Sequence, residues 1–231
     1  MAIPLGPSFL SILGIILGLL LVFRTNTSYE RWWEGRKLWG QLVNVSRGLA
    51  HQLDAYHPPA AAERLGYATL MQRYPVALAE HLRRPRGVPG PHVPNAIVGE
   101  LTRAVHRDIN SGVLPREAII SLTPLLLAFD DISGACERIR NTPIPFSYSS
   151  YVKQFVLLYA LVMPFGLVRE FGYGTIIASM FTFFATMGLE LLATEIEEPF
   201  GTDRNDLPLD DLAERIRIDT RQILGVDQTV G

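Results

Sequence analysis

The sequence predicts an all-α membrane protein with three transmembrane helices in this chain and a cytosolic helical bundle. Three strongly apolar segments, at about 7–23, 154–168 and 174–193, support this fold class, because a helix that spans a bilayer needs about 20 mostly apolar residues. No alternating strand pattern or repeat interrupts the helical periodicity. The net charge of −2 gives no indication of a nucleic-acid partner.

The first apolar segment, residues 7–23, contains no charged residue and leads directly into Arg24. A belt of aromatic side chains follows at Trp32, Trp33 and Trp39. Because basic and aromatic residues collect at membrane interfaces, this belt is predicted to anchor the helix at the bilayer surface. A secretory signal peptide is disfavoured, since no basic residue precedes the segment and no small-residue cleavage site follows it.

The second and third apolar segments are separated only by residues 169–174, so they are predicted to form a tight helical hairpin. Pro164 lies within the second segment, and the third is uncharged as far as Glu190. Such sparse charge is unusual for a secondary transporter, which commonly carries ionisable residues or broken helices at mid-membrane.

The distribution of Lys and Arg predicts the topology. These residues concentrate in 24–140 and recur after the last apolar segment, whereas the hairpin loop contains only Arg169. The positive-inside rule then places 24–150 and 195–231 in the cytosol and residues 1–6 outside. Because a chain that begins outside needs an export signal, we expect one more helix upstream, and hence four spans in the complete protein.

The chain divides accordingly into a first transmembrane helix (1–28), a cytosolic helical region (29–149), the transmembrane hairpin (150–194) and a cytosolic C-terminal acidic segment with a helix (195–231). The cytosolic region is predicted to contain helices at 29–56, 60–83, 95–111 and 115–141. A Pro/Gly-rich loop is predicted at 83–94. Pro115 suits the first turn of the last helix, and Pro124 predicts a kink within it.

The sequence shows no catalytic constellation, and we predict no enzyme activity. The five histidines show no metal-ligand spacing, and the common hydrolase, phosphate-loop and zinc-protease motifs are missing.

An acidic cluster follows the last apolar segment. Its Glu195, Glu198, Asp203 and Asp206 offer the carboxylate oxygens that calcium prefers. A capped helix end with solvated carboxylates is the alternative interpretation, and no cofactor is otherwise predicted.

The chain resembles the bestrophin family of ion channels over about residues 4–225. The resemblance rests on the run from Arg24 to Gln41, on Asn141–Pro145 and on the motif Glu198–Asp203. It implies a homopentamer with one central pore in the lipid bilayer, four transmembrane helices per subunit and passive passage of small monovalent ions. The family is known mainly for chloride and other anions, and bacterial relatives include candidates for cation passage. The expected location is the bacterial inner (plasma) membrane.

The resemblance assigns a narrow apolar neck of the pore to Ile15, Leu19 and Phe23. These residues are spaced by four and therefore share one helix face. Gly14 and Gly18 have the spacing that lets neighbouring membrane helices approach closely. The neck is uncharged, so it does not decide between anions and cations.

The resemblance also assigns a second constriction and a calcium clasp. Ile144, held in extended backbone between two prolines, corresponds to the cytosolic aperture. The acidic cluster corresponds to the calcium clasp of animal members, with Glu195 and Glu198 here in place of neutral amides. Two other functions stay open from the residues alone: a membrane-anchored helical scaffold or regulatory protein, and a secondary transporter.

Overall fold

The computed structural model describes residues 7–58, 62–88 and 90–226. These residues form seven α-helices and no strand: α1 (Pro7–Tyr56), α2 (Glu63–Arg83), α3 (Val93–Asn110), α4 (Ala118–Asn141), α5 (Phe146–Phe171), α6 (Gly174–Glu195) and α7 (Leu209–Leu224). The all-α prediction is therefore confirmed. The predicted outer residues 1–6, the predicted start of the second helix at residue 60 and the last residues, 227–231, lie outside the described ranges.

The chain forms two compact units. The first contains the chain up to Trp33 together with Pro143–Pro199, and the second contains Glu34–Thr142 and the chain from Phe200 onward. These units are defined by packing alone. The predicted four-part division concerns membrane and cytosol, and it stays a prediction.

The two helices expected at 7–23 and 29–56 are one continuous helix of 50 residues, α1. The intervening polar residues do not end it, because no proline or glycine lies among them. Thr27 instead donates its hydroxyl to the carbonyl of Phe23 at 2.9 Å, which satisfies the side chain inside the helix.

In the first unit, α5 and α6 form the predicted tight hairpin. Only Gly172 and Tyr173 separate them, and Gly172 has a φ of 52°, in the left-handed region that favours glycine. Pro164 lies inside α5 without ending it. Against this hairpin, α1 buries Leu17 and Leu21 in a cluster with Val152 and Val156 of α5.

The second unit packs α2, α3, α4 and α7 around an apolar core. In this core Tyr74 meets Phe129 edge to face at 4.8 Å and donates its hydroxyl to the Phe129 carbonyl at 2.6 Å. α4 begins at Ala118 rather than at Pro115, which precedes the helix and accepts a turn hydrogen bond from Ala118. Trp39 is fully buried, so the prediction that it anchors the chain at the bilayer surface is wrong.

Four helices of the described chain are long and apolar enough to cross a membrane: α1, α4, α5 and α6. Three of them contain the predicted spans, whereas α4 was not predicted to cross the membrane. The apolarity of α4 has a local cause, because Leu122, Leu126, Phe129 and Ile132 are buried along one of its faces in the second unit.

Candidate functional site

The N-terminal part of α1 has one buried and one exposed apolar face. Leu17 and Leu21 are only 1% and 3% exposed, whereas Ile15, Leu19 and Phe23 are 65%, 54% and 61% exposed. The three predicted neck residues therefore project away from the core of the subunit. Their common face is available to a pore, to another subunit or to lipid.

The exposed face is wider than the predicted neck. Ile12, Ile16 and Val22 are also exposed on neighbouring positions of α1. The exposure of Ile15, Leu19 and Phe23 therefore fits the predicted neck, but exposure alone does not distinguish these residues from their exposed neighbours.

The two glycines of α1 have different surroundings. A Cβ atom on Gly14 would lie 3.0 Å from the Tyr159 hydroxyl, so glycine here permits close packing against α5. A Cβ on Gly18 would meet no atom within 4 Å. Gly18 borders a cavity of about 440 Å³ whose wall includes Thr182 and Thr186 of α6.

Directly after the predicted neck residues, Arg24 is buried and paired with two carboxylates. Its Nη2 donates to Oε2 of Glu197 at 2.7 Å, and its Nε lies 3.6 Å from Oε2 of Glu190. Its Nη1 donates to Ser28 at 3.3 Å. Because a buried guanidinium needs compensating charge, these contacts fix the side chain of Arg24 and the helix that carries it.

Glu197 connects this arginine to the predicted aperture. Its Oε1 accepts a hydrogen bond from the backbone N–H of Ile144 at 3.0 Å, while Oε2 binds Arg24. Its backbone carbonyl accepts a hydrogen bond from Nε of Arg31 at 3.1 Å. One residue thus binds both Arg24 of α1, next to the predicted neck residue Phe23, and the residue assigned to the second constriction.

Glu197 is not among the predicted site residues, although the nearby carboxylates of Glu195 and Glu198 are. Two features of the sequence point toward such a partner: Arg24 directly follows an uncharged segment, and Glu190 interrupts another apolar segment. Which of the acidic residues after α6 turns inward is decided by the turn at residues 196–199, and the sequence pattern does not specify this turn.

The predicted calcium ligands are divided between the two units. Glu195 ends α6, and Glu198 follows in the first unit, whereas Asp203 and Asp206 belong to the second. The backbone N–H of Asp203 donates to Oδ2 of Asp206 at 2.7 Å, so this carboxylate caps a turn. The calcium site stays a prediction.

Two motifs of the resemblance meet within the second unit. A Cβ on Gly35 would lie 3.1 Å from the ring of Phe200 and 3.2 Å from Leu207. Gly35 belongs to the run that follows Arg24, and Phe200 belongs to the motif after α6. The glycine is therefore explained by the close approach of the phenylalanine ring.

Helices long and apolar enough to cross a bilayer, one of which carries a buried arginine paired with carboxylates, are typical of an integral membrane protein of the α-helical type. A family model described as "Bacterial/Fungal Bestrophin protein" matches residues 1–222. The chain therefore belongs to the bacterial and fungal bestrophin family, and the predicted resemblance is confirmed.

Individual relatives agree with this assignment. A voltage-dependent anion channel-forming protein of Ralstonia nicotianae is 36% identical over 235 residues, which cover 93% of this chain and 76% of that protein. One from Escherichia coli K12 is 33% identical over 231 residues, with 92% and 75% covered. The crystal structure of a bacterial bestrophin homolog from Klebsiella pneumoniae matches with a TM-score of 0.89 at 28% identity, covering 96% of this chain and 89% of that one.

Proposed function

We propose that this chain is one subunit of an oligomeric ion channel of the bacterial plasma membrane that passes small anions, chloride in the first instance. Family membership and relatives named as anion channel-forming proteins support this function. Within the molecule, the observation that carries the proposal is the exposed apolar face of Ile15, Leu19 and Phe23 on a helix whose opposite face is buried.

We further propose a homopentamer in which α1 of each subunit lines a central pore. Five copies of each neck residue then form stacked apolar rings. A narrow ring of this kind passes an ion only when the ion gives up part of its hydration shell, and it closes when the constriction loses its water. Ion flux is therefore sensitive to the size of these side chains.

Ile144 is proposed as the second constriction, at the cytosolic exit. Pro145 is the N-cap of α5, and the backbone N–H of Ile144 is bound by Glu197. A residue held from both sides in this way keeps a defined position. A five-fold ring of Ile144 side chains at this place would limit which ions leave the pore on the cytosolic side.

The test records current through the purified protein in planar bilayers under a chloride salt gradient. The expected result is a reproducible current whose reversal potential has the sign of an anion conductance. The opposite sign would show a cation channel, and saturable, coupled flux would show a transporter. Absence of current from an intact oligomer over a range of calcium, pH and voltage would favour the scaffold function.

Two double variants test whether the neck residues determine the current. Leu19→Ala with Phe23→Ala is expected to change the single-channel conductance severalfold. Leu161→Ala with Phe181→Ala is the matched control, because these residues are equally apolar and also exposed, on α5 and α6. Equal conductance in the two double variants would contradict the assignment of the neck.

A further inference from the structure

The second unit brings two histidines and a glutamate together where three helices meet. His81 lies in the last turn of α2, His92 is the N-cap of α3, and Glu137 lies on α4. Nε2 of His81 lies 3.0 Å, and Nε2 of His92 2.5 Å, from the same atom, Oε1 of Glu137. In the described part of the chain, this is the one group of three His, Cys, Asp or Glu side chains whose ligand atoms all lie within 4.8 Å.

We propose that His81, His92 and Glu137 bind one divalent transition-metal ion, with zinc as the first choice. Two imidazole nitrogens and one carboxylate oxygen occur together in zinc sites, with water as the fourth ligand. Metal–ligand distances of about 2.0–2.2 Å place tetrahedral ligands roughly 3.3 Å apart. The two distances to the Glu137 oxygen, 3.0 Å and 2.5 Å, therefore need to open by less than about 1 Å. This site does not depend on the proposed channel function.

The ligand set favours an ion that prefers nitrogen ligands. Two of the three ligand atoms are imidazole nitrogens, and one is a carboxylate oxygen. Calcium and magnesium depend on several oxygen ligands, whereas zinc and its neighbours in the transition series bind imidazole well.

Metal binding requires one change at His92. Its Nδ1 accepts a hydrogen bond from the backbone N–H of Asn95 at 3.2 Å, so in the metal-free protein Nε2 carries the proton and donates it to Glu137. An ion at Nε2 moves this proton to Nδ1 and breaks the bond to Asn95. Loss of one such cap costs on the order of tenfold in an equilibrium constant, far less than three protein ligands contribute to zinc binding.

An open cavity gives the group access to solvent. The cavity has a volume of about 460 Å³, and His92, Glu137 and Asp130 form part of its wall. It is large enough for an ion with a water molecule as the fourth ligand. An ion bound here would join α2, α3 and α4, and it would therefore stabilise the second unit.

The first measurement uses the full-length wild-type chain, purified in detergent, freed of any affinity tag and stripped with EDTA. Zinc is titrated by calorimetry, and the melting temperature is recorded with Zn²⁺, Co²⁺ and Mg²⁺. We expect one zinc ion per chain, a higher Tm with Zn²⁺ and Co²⁺ but not with Mg²⁺, and the visible absorption of tetrahedral cobalt. Absence of zinc binding, or an equal effect of magnesium, overturns the proposal without any substitution.

Variants then assign the ion to these residues. His81→Gln and Glu137→Gln are each expected to weaken zinc binding by about 100-fold or more, because even loss of an outer-shell partner costs about 10–100-fold. His106→Gln, an exposed histidine on α3, is the matched control and should bind zinc like the wild type. Equal affinity in all three variants, or equal loss in the control, would assign the zinc to surface histidines and refute the site.

Discussion

Replacing Glu197 by glutamine is the most direct test of the buried network around Arg24, which follows the proposed neck residues on α1. Both carboxylate oxygens accept hydrogen bonds, Oε1 from the Ile144 N–H and Oε2 from Arg24. An amide has only one accepting oxygen. In either orientation of the amide, its NH2 group therefore faces one of the two donors, and one contact is lost.

The structure sets the size of the effect. Arg24 is 1% and Glu197 13% exposed, so their pair lies in a poorly solvated environment. Removing one partner of a buried pair costs about 3–5 kcal/mol when the remaining charge has no other partner. Arg24 keeps Glu190 at 3.6 Å, and the amide keeps one hydrogen bond, so we expect about 2–3 kcal/mol. This corresponds to a decrease in Tm of roughly 4–12 °C for a chain of this length.

The assay combines thermal unfolding in detergent with single-channel recording. Glu197→Gln should unfold at the lower temperature and should also change conductance or open probability, because Ile144 or α1 is no longer held. Glu170→Gln is the matched control: it makes the same change of charge at an exposed position near the end of α5. Identical Tm and conductance in the two variants would refute the network as a structural support of the pore.

Three further changes test other parts of the structure. Gly18→Ala should be more stable than Gly14→Ala by about 1 kcal/mol in thermal unfolding, since alanine favours helix at both positions but meets a side chain only at position 14; equal stabilities would contradict this packing. Tyr74→Phe should lose about 1 kcal/mol in denaturant titration, because the buried hydroxyl donates to a carbonyl. The bidentate hydrogen bonds of Arg83 hold the pKa of Asp210 below its usual range. Asp210→Asn should therefore lose less than about 1 kcal/mol at neutral pH, and the difference should vanish as pH falls through that lowered pKa; a difference that grows in acid would contradict the pairing.

Composition was sufficient to predict the membrane helices, because a strongly apolar segment of about 15–20 residues with at most one charge has few stable environments outside a bilayer. The three predicted segments lie in α1, α5 and α6. Composition did not predict that α1 continues to Tyr56. Polar residues such as Thr27 are typical of helix ends, but the same side chain also bonds to the carbonyl one turn back within a helix.

The sequence patterns could not predict contacts between side chains that are far apart in the chain. Glu197 binds a guanidinium 173 positions away, and neither residue type nor spacing distinguishes it from the carboxylates beside it. The same holds for His81 in the last turn of α2 and His92 at the N-cap of α3, which both contact Glu137 of α4. The prediction for Trp39 failed for a different reason. An aromatic residue near a membrane helix suits the membrane interface and a protein core equally well, and Trp39 is buried in the core.

The buried network also bears on which residues of α1 face the pore. The N-terminal part of α1 has no polar face, so its exposed side can rest only against lipid, another subunit or the narrow neck itself. Ile12 and Ile16 are exposed like Ile15 and Leu19, and the subunit alone does not separate pore-facing from lipid-facing residues. The ion pair between Arg24 and Glu197 restrains the rotation of α1 about its own axis, together with the packing of Leu17 and Leu21. In the proposed pore, Glu197 therefore helps to set which apolar residues face the neck, although it contributes no side chain to the apolar face.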